Sequence, residues 1–353
     1  MGLITGGAGF IGSNFAHHWI EKEKEPLVNL DKLTYAGNVG NLTSILHHPL
    51  HTFVQGDIAD RSLVKELLHK HQPKYVIHFA AETHVDRSIH DPALFVQTNI
   101  LGSHALLEEV FTYWKDLSAS KKKLFRFLNI STDEVFGTLS PASQAASEDN
   151  PYRPNSPYSA SKAGFDHLVR AYHETFGMPT LITYCTNNFG PYQFPEKLIP
   201  LVILNALQGK ALPIYGDGNQ IRNWMYVKEH CEALLEVIKK GKPGESYNIG
   251  NEKDISNLEL VHLICSLLDE LKPDSPFKPH SSLIQHVQDR PGHDRRYSLN
   301  SSKIKKELGW KASMAFNESL KKTVVWYLEN ALWLENVQKG EYRTWIANHY
   351  AGH

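Results

Sequence analysis

Two short groups of residues hold the chemistry that this sequence can perform. Ser131-Thr132-Asp133-Glu134 sets a hydroxyl and two adjacent carboxylates directly after Leu124-Phe125-Arg126-Phe127-Leu128-Asn129-Ile130. That apolar-rich run reads as a buried strand, so the polar group falls at its carboxyl end, where open α/β sheets place ligands. Tyr158 and Lys162 form the second group. Pro154-Asn155-Ser156-Pro157 ahead of them has helix-start character, and a spacing of four puts phenol and ammonium on one helical face. A tyrosine titrates near ~10, so service as a base at neutral pH needs roughly three units of depression, about 4 kcal/mol. One positive charge at about 4 Å, at an effective dielectric near 20, supplies about that much. Lys162 is therefore expected to draw the phenol down. A tyrosine and lysine four apart are common on helix surfaces, and adjacent carboxylates after a strand commonly form a solvated turn; the surroundings decide.

Those surroundings begin with a nucleotide-binding pattern. Gly2-Leu3-Ile4-Thr5 reads as a strand running into Gly6-Gly7-Ala8-Gly9-Phe10-Ile11-Gly12, followed by a helical pattern through Trp19 and Ile20. Such glycines permit a tight turn, close approach of backbone to a pyrophosphate and close packing of helix on strand, while the helix N-terminus attracts negative charge. A second strand, Leu27-Val28-Asn29-Leu30, ends in Asp31, the acid that accepts ribose hydroxyls and favours NAD over NADP. An oxidised nicotinamide would add a second positive charge beside Tyr158. His51-Thr52-Phe53-Val54-Gln55 leads to Asp57, a candidate for the adenine amine. Tyr75-Val76-Ile77-His78-Phe79 is followed by Ala80 and Ala81, small enough to let a cofactor cross the strand tip. Asp91-Pro92 opens a long helical pattern to Trp114, Lys121-Lys122-Lys123 reads as a solvated stretch, and Gly177 is a stop for the helix after Lys162. With Thr180 to Tyr184 as a sixth strand, the alternation specifies a Rossmann-type, doubly wound parallel sheet of the α/β class.

The chain has 353 residues, 41% hydrophobic and 21% charged, with a net charge of -1. That is the composition of a globular enzyme or binding protein, and it argues against nucleic acid as a partner. Cys185, Cys231 and Cys265 are scattered and odd in number, which fits a reducing compartment rather than a disulfide framework. No apolar run reaches bilayer length and no signal-peptide pattern is present, so a cytoplasmic protein without a membrane partner is expected. His17-His18 and His47-His48 lack partners at ligand spacing, and no metal is expected. Near residue 185 the pattern changes to proline-interrupted segments, with Pro191, Pro195, Pro200 and Pro213. A second, smaller α+β C-terminal domain begins there. Trp224 to Gly250 reads as a helix and strand returning to the first domain, and 256–271 and 319–334 as helices of the second.

Together, Gly6 to Gly12, Ser131-Thr132-Asp133-Glu134 and Tyr158 with Lys162 resemble the extended short-chain dehydrogenase/reductase family. Ala80-Ala81-Glu82-Thr83-His84-Val85-Asp86-Arg87-Ser88, the run from Asn187 to Pro200, and Asp289-Arg290-Pro291-Gly292-His293-Asp294 are similar, more narrowly, to its dTDP-glucose 4,6-dehydratase branch. The resemblance covers essentially the whole chain. It implies residues 1–184 with 223–250 as a domain for tightly bound, recycled NAD, and 185–222 with 251–353 as a sugar-nucleotide domain. Cofactor contacts are implied at Gly6, Gly9, Phe10, Ile11, Gly12, Asp31, Lys32, Leu33, Thr34, Asp57, Ile58, Ala80, Ala81, Thr98, Tyr158, Lys162 and Asn188. Substrate contacts are implied at Thr83, Thr132, Asn187, Lys197, Leu198, Pro213, Tyr215, Arg222, Asn257, Arg290 and His293, with Tyr350 touching the sugar nucleotide.

The chemistry this implies has a clear logic. A C6 hydroxyl is hard to eliminate because the C5 hydrogen is not acidic. Oxidation at C4, with Tyr158 taking the hydroxyl proton and hydride passing to NAD, makes C5 alpha to a ketone. Glu134 is then implied as base at C5, Asp133 as acid at the departing hydroxyl and Thr132 as partner of the C4 oxygen, before hydride returns to C6. Asp133 must keep its proton near neutral pH, so burial and the charge of Glu134 are expected to raise its pKa. Related epimerases share Tyr158 and Lys162 without needing the carboxyl pair. A sugar-nucleotide epimerase or decarboxylase, a UDP-glucose dehydratase and a non-catalytic NAD-binding sensor are the competing readings. A homodimer is implied through the helices at about 91–114 and 157–177. Three residues depart from the family pattern: Tyr184 where arginine is usual, Phe136 for tyrosine and Thr83 for serine.

Overall fold

The computed structural model describes residues 1–140, 142–251 and 253–338; Tyr350 lies outside them. Twelve strands occur among the described residues. They are β1 (Gly2–Thr5), β2 (Leu27–Asp31), β3 (His51–Gln55), β4 (Tyr75–His78), β5 (Arg126–Thr132), β6 (Thr180–Cys185), β7 (Asn187–Phe189), β8 (Leu212–Tyr215), β9 (Ile221–Tyr226), β10 (Ser246–Ile249), β11 (Asp254–Ser256) and β12 (Ile284–Val287). Seven form one parallel sheet in the order β10-β6-β5-β4-β1-β2-β3. Successive residues of a strand point to opposite faces, and the core obeys this. Leu3, Val76 and Phe127 enter one apolar cluster with the helices Arg61–His71, Ser103–Asp116 and Pro157–Phe176. Ile4, Ile77 and Leu128 enter another with Phe10–Lys22, Val227–Lys240 and Ser302–Leu308. Both faces are covered, which is why these strands read as unbroken apolar runs.

The second lobe is built on a three-stranded sheet, β11-β9-β7, and a two-stranded one, β12-β8. Helices Leu198–Leu207, Asn257–Leu271 and Phe316–Glu329 close a third core around Phe189, Trp224 and Ile255. The division differs in two places from the one read off the sequence. Residues 223–226 pair within β9 to β7 and β11, so the return to the large sheet begins at Val227, where the apolar stripe turns to meet Phe10–Lys22. Ile304 and Trp310 also pack on the large sheet, because β10 at its edge needs cover.

Two helices differ in detail as well. The pattern from Pro92 to Asp116 is interrupted by a π-helical stretch at Gln97–Gly102, and the C-terminal one breaks at Asn330 into Phe316–Glu329 and Ala331–Val337. Lys121, Lys122 and Lys123 lie on a short helix, Ala119–Leu124, with no buried residue. Helix Pro157–Phe176 has firm ends. Ser156 and Ser159 form a reciprocal capping box at its start, and Gly177 takes the left-handed conformation at its stop (φ +70°).

Candidate active site

The glycine turn joins β1 to the helix Phe10–Lys22. Gly6 has φ +73°, and a Cβ there would lie 2.6 Å from the Ala80 nitrogen; one on Gly12 would lie 2.3 Å from the Gly6 oxygen. No side chain fits. At the end of β2 the Asp31 carboxylate accepts hydrogen bonds from the Ala8 and Leu33 backbone nitrogens, each at 2.8 Å. Both oxygens are thereby fixed beside the turn. Asp57, the candidate for the adenine amine, meets Lys32 at 2.7 Å and accepts from the Ala59 nitrogen. All implied cofactor residues except Leu33 line one cavity of about 440 Å³. Leu33 packs its side chain on the core and contributes only its N–H to Asp31.

The same cavity takes in the other group. Thr132 ends β5 and caps a 3-10 turn, Asp133–Phe136, its Oγ1 accepting from the Glu134 nitrogen at 3.3 Å and donating to Asp133 Oδ1 at 3.3 Å. Asp133 is 4% exposed, and its Oδ2 has no partner. Burial, and then the charge of Glu134, push its carboxyl up to about 8, in the expected direction. Burial also raises Glu134, against the favourable charges of Arg290, Arg222 and Lys197.

Tyr158 departs from expectation. Burial and the Glu134 carboxylate hold its phenol well above the ordinary tyrosine range, and a hydrogen bond with Thr132 is the opposing influence. Lys162 is not among the leading influences on it. The ammonium, fully buried, donates to the Ile130 carbonyl at 2.8 Å, and burial lowers its own pKa. The backbone of Tyr158 is anchored by Ser161 Oγ at 2.7 Å, which in turn receives Asn99 Nδ2 at 2.9 Å. Asn99 stands in the π-helical stretch and also bonds the Glu82 backbone at both N and O, so that irregular turn helps set the tyrosine.

Of the implied substrate residues, Thr83, Thr132, Asn187 and Lys197 line the cavity, and Lys197 Nζ donates to the Thr83 carbonyl at 3.0 Å. Leu198, Pro213, Tyr215, Arg222, Asn257, Arg290 and His293 do not line it. Tyr215 and Arg290 instead converge on Asp86, at 3.3 and 3.0 Å. Arg222 is buried against Tyr297, donating to the Ile221 and Asp294 carbonyls. His293 contacts Asp289 at 2.6 Å and is lowered to about 4 by burial and by Arg290. Leu198 packs on the third core, Pro213 lies in β8, and Asn257 opens its helix with Oδ1 buried and unpartnered.

Several cavity residues escaped the sequence reading. Glu82, Cys185, Gln193 and Glu196 line it, and burial pushes Glu196 up to about 7. The only sequence signal for Glu196 was its place beside Lys197. The loop that carries Gln193 and Glu196 is tied to both lobes, by Asn14 Nδ2 to the Pro191 carbonyl at 3.0 Å and by the Tyr327 hydroxyl to the Gln193 carbonyl at 2.7 Å. Tyr184 does not line the cavity. Its hydroxyl meets that of Tyr152 at 2.5 Å and its ring lies 4.9 Å from that of Phe136, so two of the three departures from the family pattern touch each other. Among the described residues no cluster of three or more His, Cys, Asp or Glu could hold a metal, and no helix is long and apolar enough to cross a membrane.

Residues 3–323 match the family described as GDP-mannose 4,6 dehydratase. A dTDP-glucose 4,6-dehydratase of Xanthomonas campestris pv. campestris (strain B100) is 54% identical over 97% of each chain, and that of Shigella flexneri 51% over 99% of each. The chain belongs to the dTDP-glucose 4,6-dehydratase family. The Streptomyces venezuelae dTDP-glucose 4,6-dehydratase, solved with NAD bound, superposes with a TM-score of 0.86 at 42% identity, over 95% of this chain and 99% of that one. The features here suit that cofactor: the turn at Gly6 and Gly12 admits no Cβ, and Asp31 stands at the end of β2 beside that turn with its carboxylate already oriented. A family that eliminates water from a sugar nucleotide needs an acid and a base within reach of one carbon pair. Asp133 and Glu134 are adjacent on a single turn.

Proposed function

We propose that the chain converts dTDP-glucose to dTDP-4-dehydro-6-deoxy-glucose and water. The observation that carries this is the carboxyl pair, Asp133 and Glu134, opening onto the same cavity as Tyr158, Thr132 and the glycine turn, in a chain more than half identical to a curated dehydratase. NAD would be held by the turn from Gly6 to Gly12, by Asp31 and by Lys162. When bound it supplies the hydride acceptor for C4, the stored hydride for C6 and a positive charge that favours the ionised phenol.

The chain's own groups handle the protons. Tyr158 takes the C4 hydroxyl proton, while Thr132 holds the C4 oxygen. Glu134, raised by burial but with its ionised form supported by the charges of Arg290, Arg222 and Lys197, removes the proton from C5 once C4 is a ketone. Asp133, protonated below about 8, gives its proton to the C6 hydroxyl, which leaves as water. The proton on Glu134 returns to C5, and the ketone at C4 remains. Lys197, which lines the cavity, and Arg222 and Arg290, whose charges reach Glu134, offer positive charge to the diphosphate.

The working unit in this reading is a homodimer. Val96 (46% exposed), Leu101 (53%) and Phe176 (48%) lie on the two helical segments implied for the interface, and large apolar side chains so exposed call for a partner surface. Three free, buried cysteines suit a reducing compartment, and a cytoplasmic setting is part of this reading. The test is incubation with dTDP-glucose, in parallel with UDP-glucose, without added NAD. Loss of one water mass from dTDP-glucose, with the alkali-induced absorbance of a 4-keto sugar, is expected. Unchanged mass with inversion at C4 would overturn the reading in favour of an epimerase.

A further inference from the structure

Behind the tyrosine and lysine, on the same face of helix Pro157–Phe176, stands a carboxylate that the mechanism above does not use. Asp166 follows Lys162 by four residues, as Lys162 follows Tyr158. The residue is 1% exposed. Its Oδ1 accepts from Asn129 Nδ2 at 2.7 Å and its Oδ2 from Ser131 Oγ at 2.6 Å, with the Tyr152 hydroxyl at 3.4 Å. Asn129 and Ser131 flank Ile130, whose carbonyl receives the Lys162 ammonium. Helix and strand are thus joined at three consecutive strand positions, and the next strand residue is Thr132.

We propose that Asp166 is the positioning residue of the active site: by clamping β5 on both sides of Ile130, it fixes the height at which Lys162 and Tyr158 face Thr132, and it is the fixed negative charge opposite the buried ammonium. The inference rests on the function proposed above and concerns its C4 oxidation step. The clamp needs the ionised carboxylate, since two donors, Asn129 and Ser131, point at it and a protonated oxygen would accept less well. Burial pushes Asp166 up to about 6, while Lys162 and its three hydrogen bonds favour ionisation. The titratable groups facing it are Lys162 from its own helix, Tyr152 from the preceding loop and Tyr184 from β6. Tyr152 and Tyr184 are both raised above the ordinary tyrosine range, so neither competes as a charge.

The test compares wild type with Asp166→Asn, which keeps the size and removes the charge, and with Asp166→Glu, as purified holoenzymes on dTDP-glucose from about pH 5 to 9. Expected at pH 8 is a kcat lowered about 10- to 100-fold by Asp166→Asn, with KM changed by less than about threefold. The ratio of wild type to Asp166→Asn then shrinks toward one as pH falls through about 6, because protonation makes the wild type resemble the variant. Asp166→Glu recovers part of kcat. A ratio that stays constant across pH, or a loss carried by KM, marks a merely structural residue and overturns the proposal. Should Asp166→Asn fail to fold, Asn129→Ala and Ser131→Ala each break one arm of the clamp and leave the charge. Each is expected to lower kcat about three- to tenfold, and unchanged kcat in both overturns it. If wild type epimerises UDP-glucose instead, the function proposed above fails alone, and the same ratio is read on that reaction, which also oxidises C4.

Discussion

At the scale of the residue, Asp133 is where function and stability pull against each other. Its carboxyl titrates near 8 in the fold against 3.8 when unperturbed, so the native state holds a proton that the unfolded state has released. Stability therefore falls as pH rises from about 4 to about 8, by as much as about 4 kcal/mol at neutral pH. Asp133→Asn should remove that dependence and melt roughly 5 °C higher above pH 7 in calorimetry. The same change should cost about 10²- to 10⁴-fold in product formation, while C4 oxidation survives as nicotinamide absorbance in a single turnover. For the wild type, activity should fall as pH rises through about 8, where Asp133 loses the proton that it gives up in the proposed mechanism. Adjacency made this pair legible in the sequence. The sign of the shift on Tyr158 was not, because it depends on the burial of the phenol and on Glu134, twenty-four residues back in the chain but facing it in space.

Elements deliver these residues, and their legibility follows how local their causes are. The glycine turn and the capped helix Pro157–Phe176 are specified within a few residues, and both form where the spacing puts them. Gly6→Ala should strain a left-handed backbone and press a methyl onto Ala80, costing roughly 2–4 kcal/mol. Purified Gly6→Ala protein should then release little or no NAD on denaturation, where wild type releases about one equivalent per chain if the cofactor is tightly retained. The π-helical stretch at Gln97–Gly102 had no readable signal, since Asn99 is drawn out of register by Glu82 and Ser161, partners from other segments. Likewise Arg290 and Tyr215 looked like separate substrate contacts in the sequence. Only the fold joins them, through Asp86.

For the whole molecule, the exposed apolar residues give a direct test of assembly. Leu101→Glu and Phe176→Glu should each shift sedimentation from dimer to monomer, because a desolvated carboxylate at an apolar interface costs several kcal/mol; an unchanged dimer would show that these helices face solvent. The overall class was legible because strand and helix alternate in order, from β1 to β6. The lobe boundary was not, since a strand ending at Tyr226 and a helix starting at Val227 share one continuous apolar pattern. The large sheet is completed by β10 beside β6, and the cover of that edge comes from Ser302–Leu308 and Trp310. A chain still emerging from the ribosome at Lys240 therefore carries every proposed catalytic group while the edge of β6 remains unpaired, open to any neighbouring polypeptide. Truncation after Lys240 should yield insoluble protein on expression, and the intact chain should depend on chaperone shelter until its last third has been made.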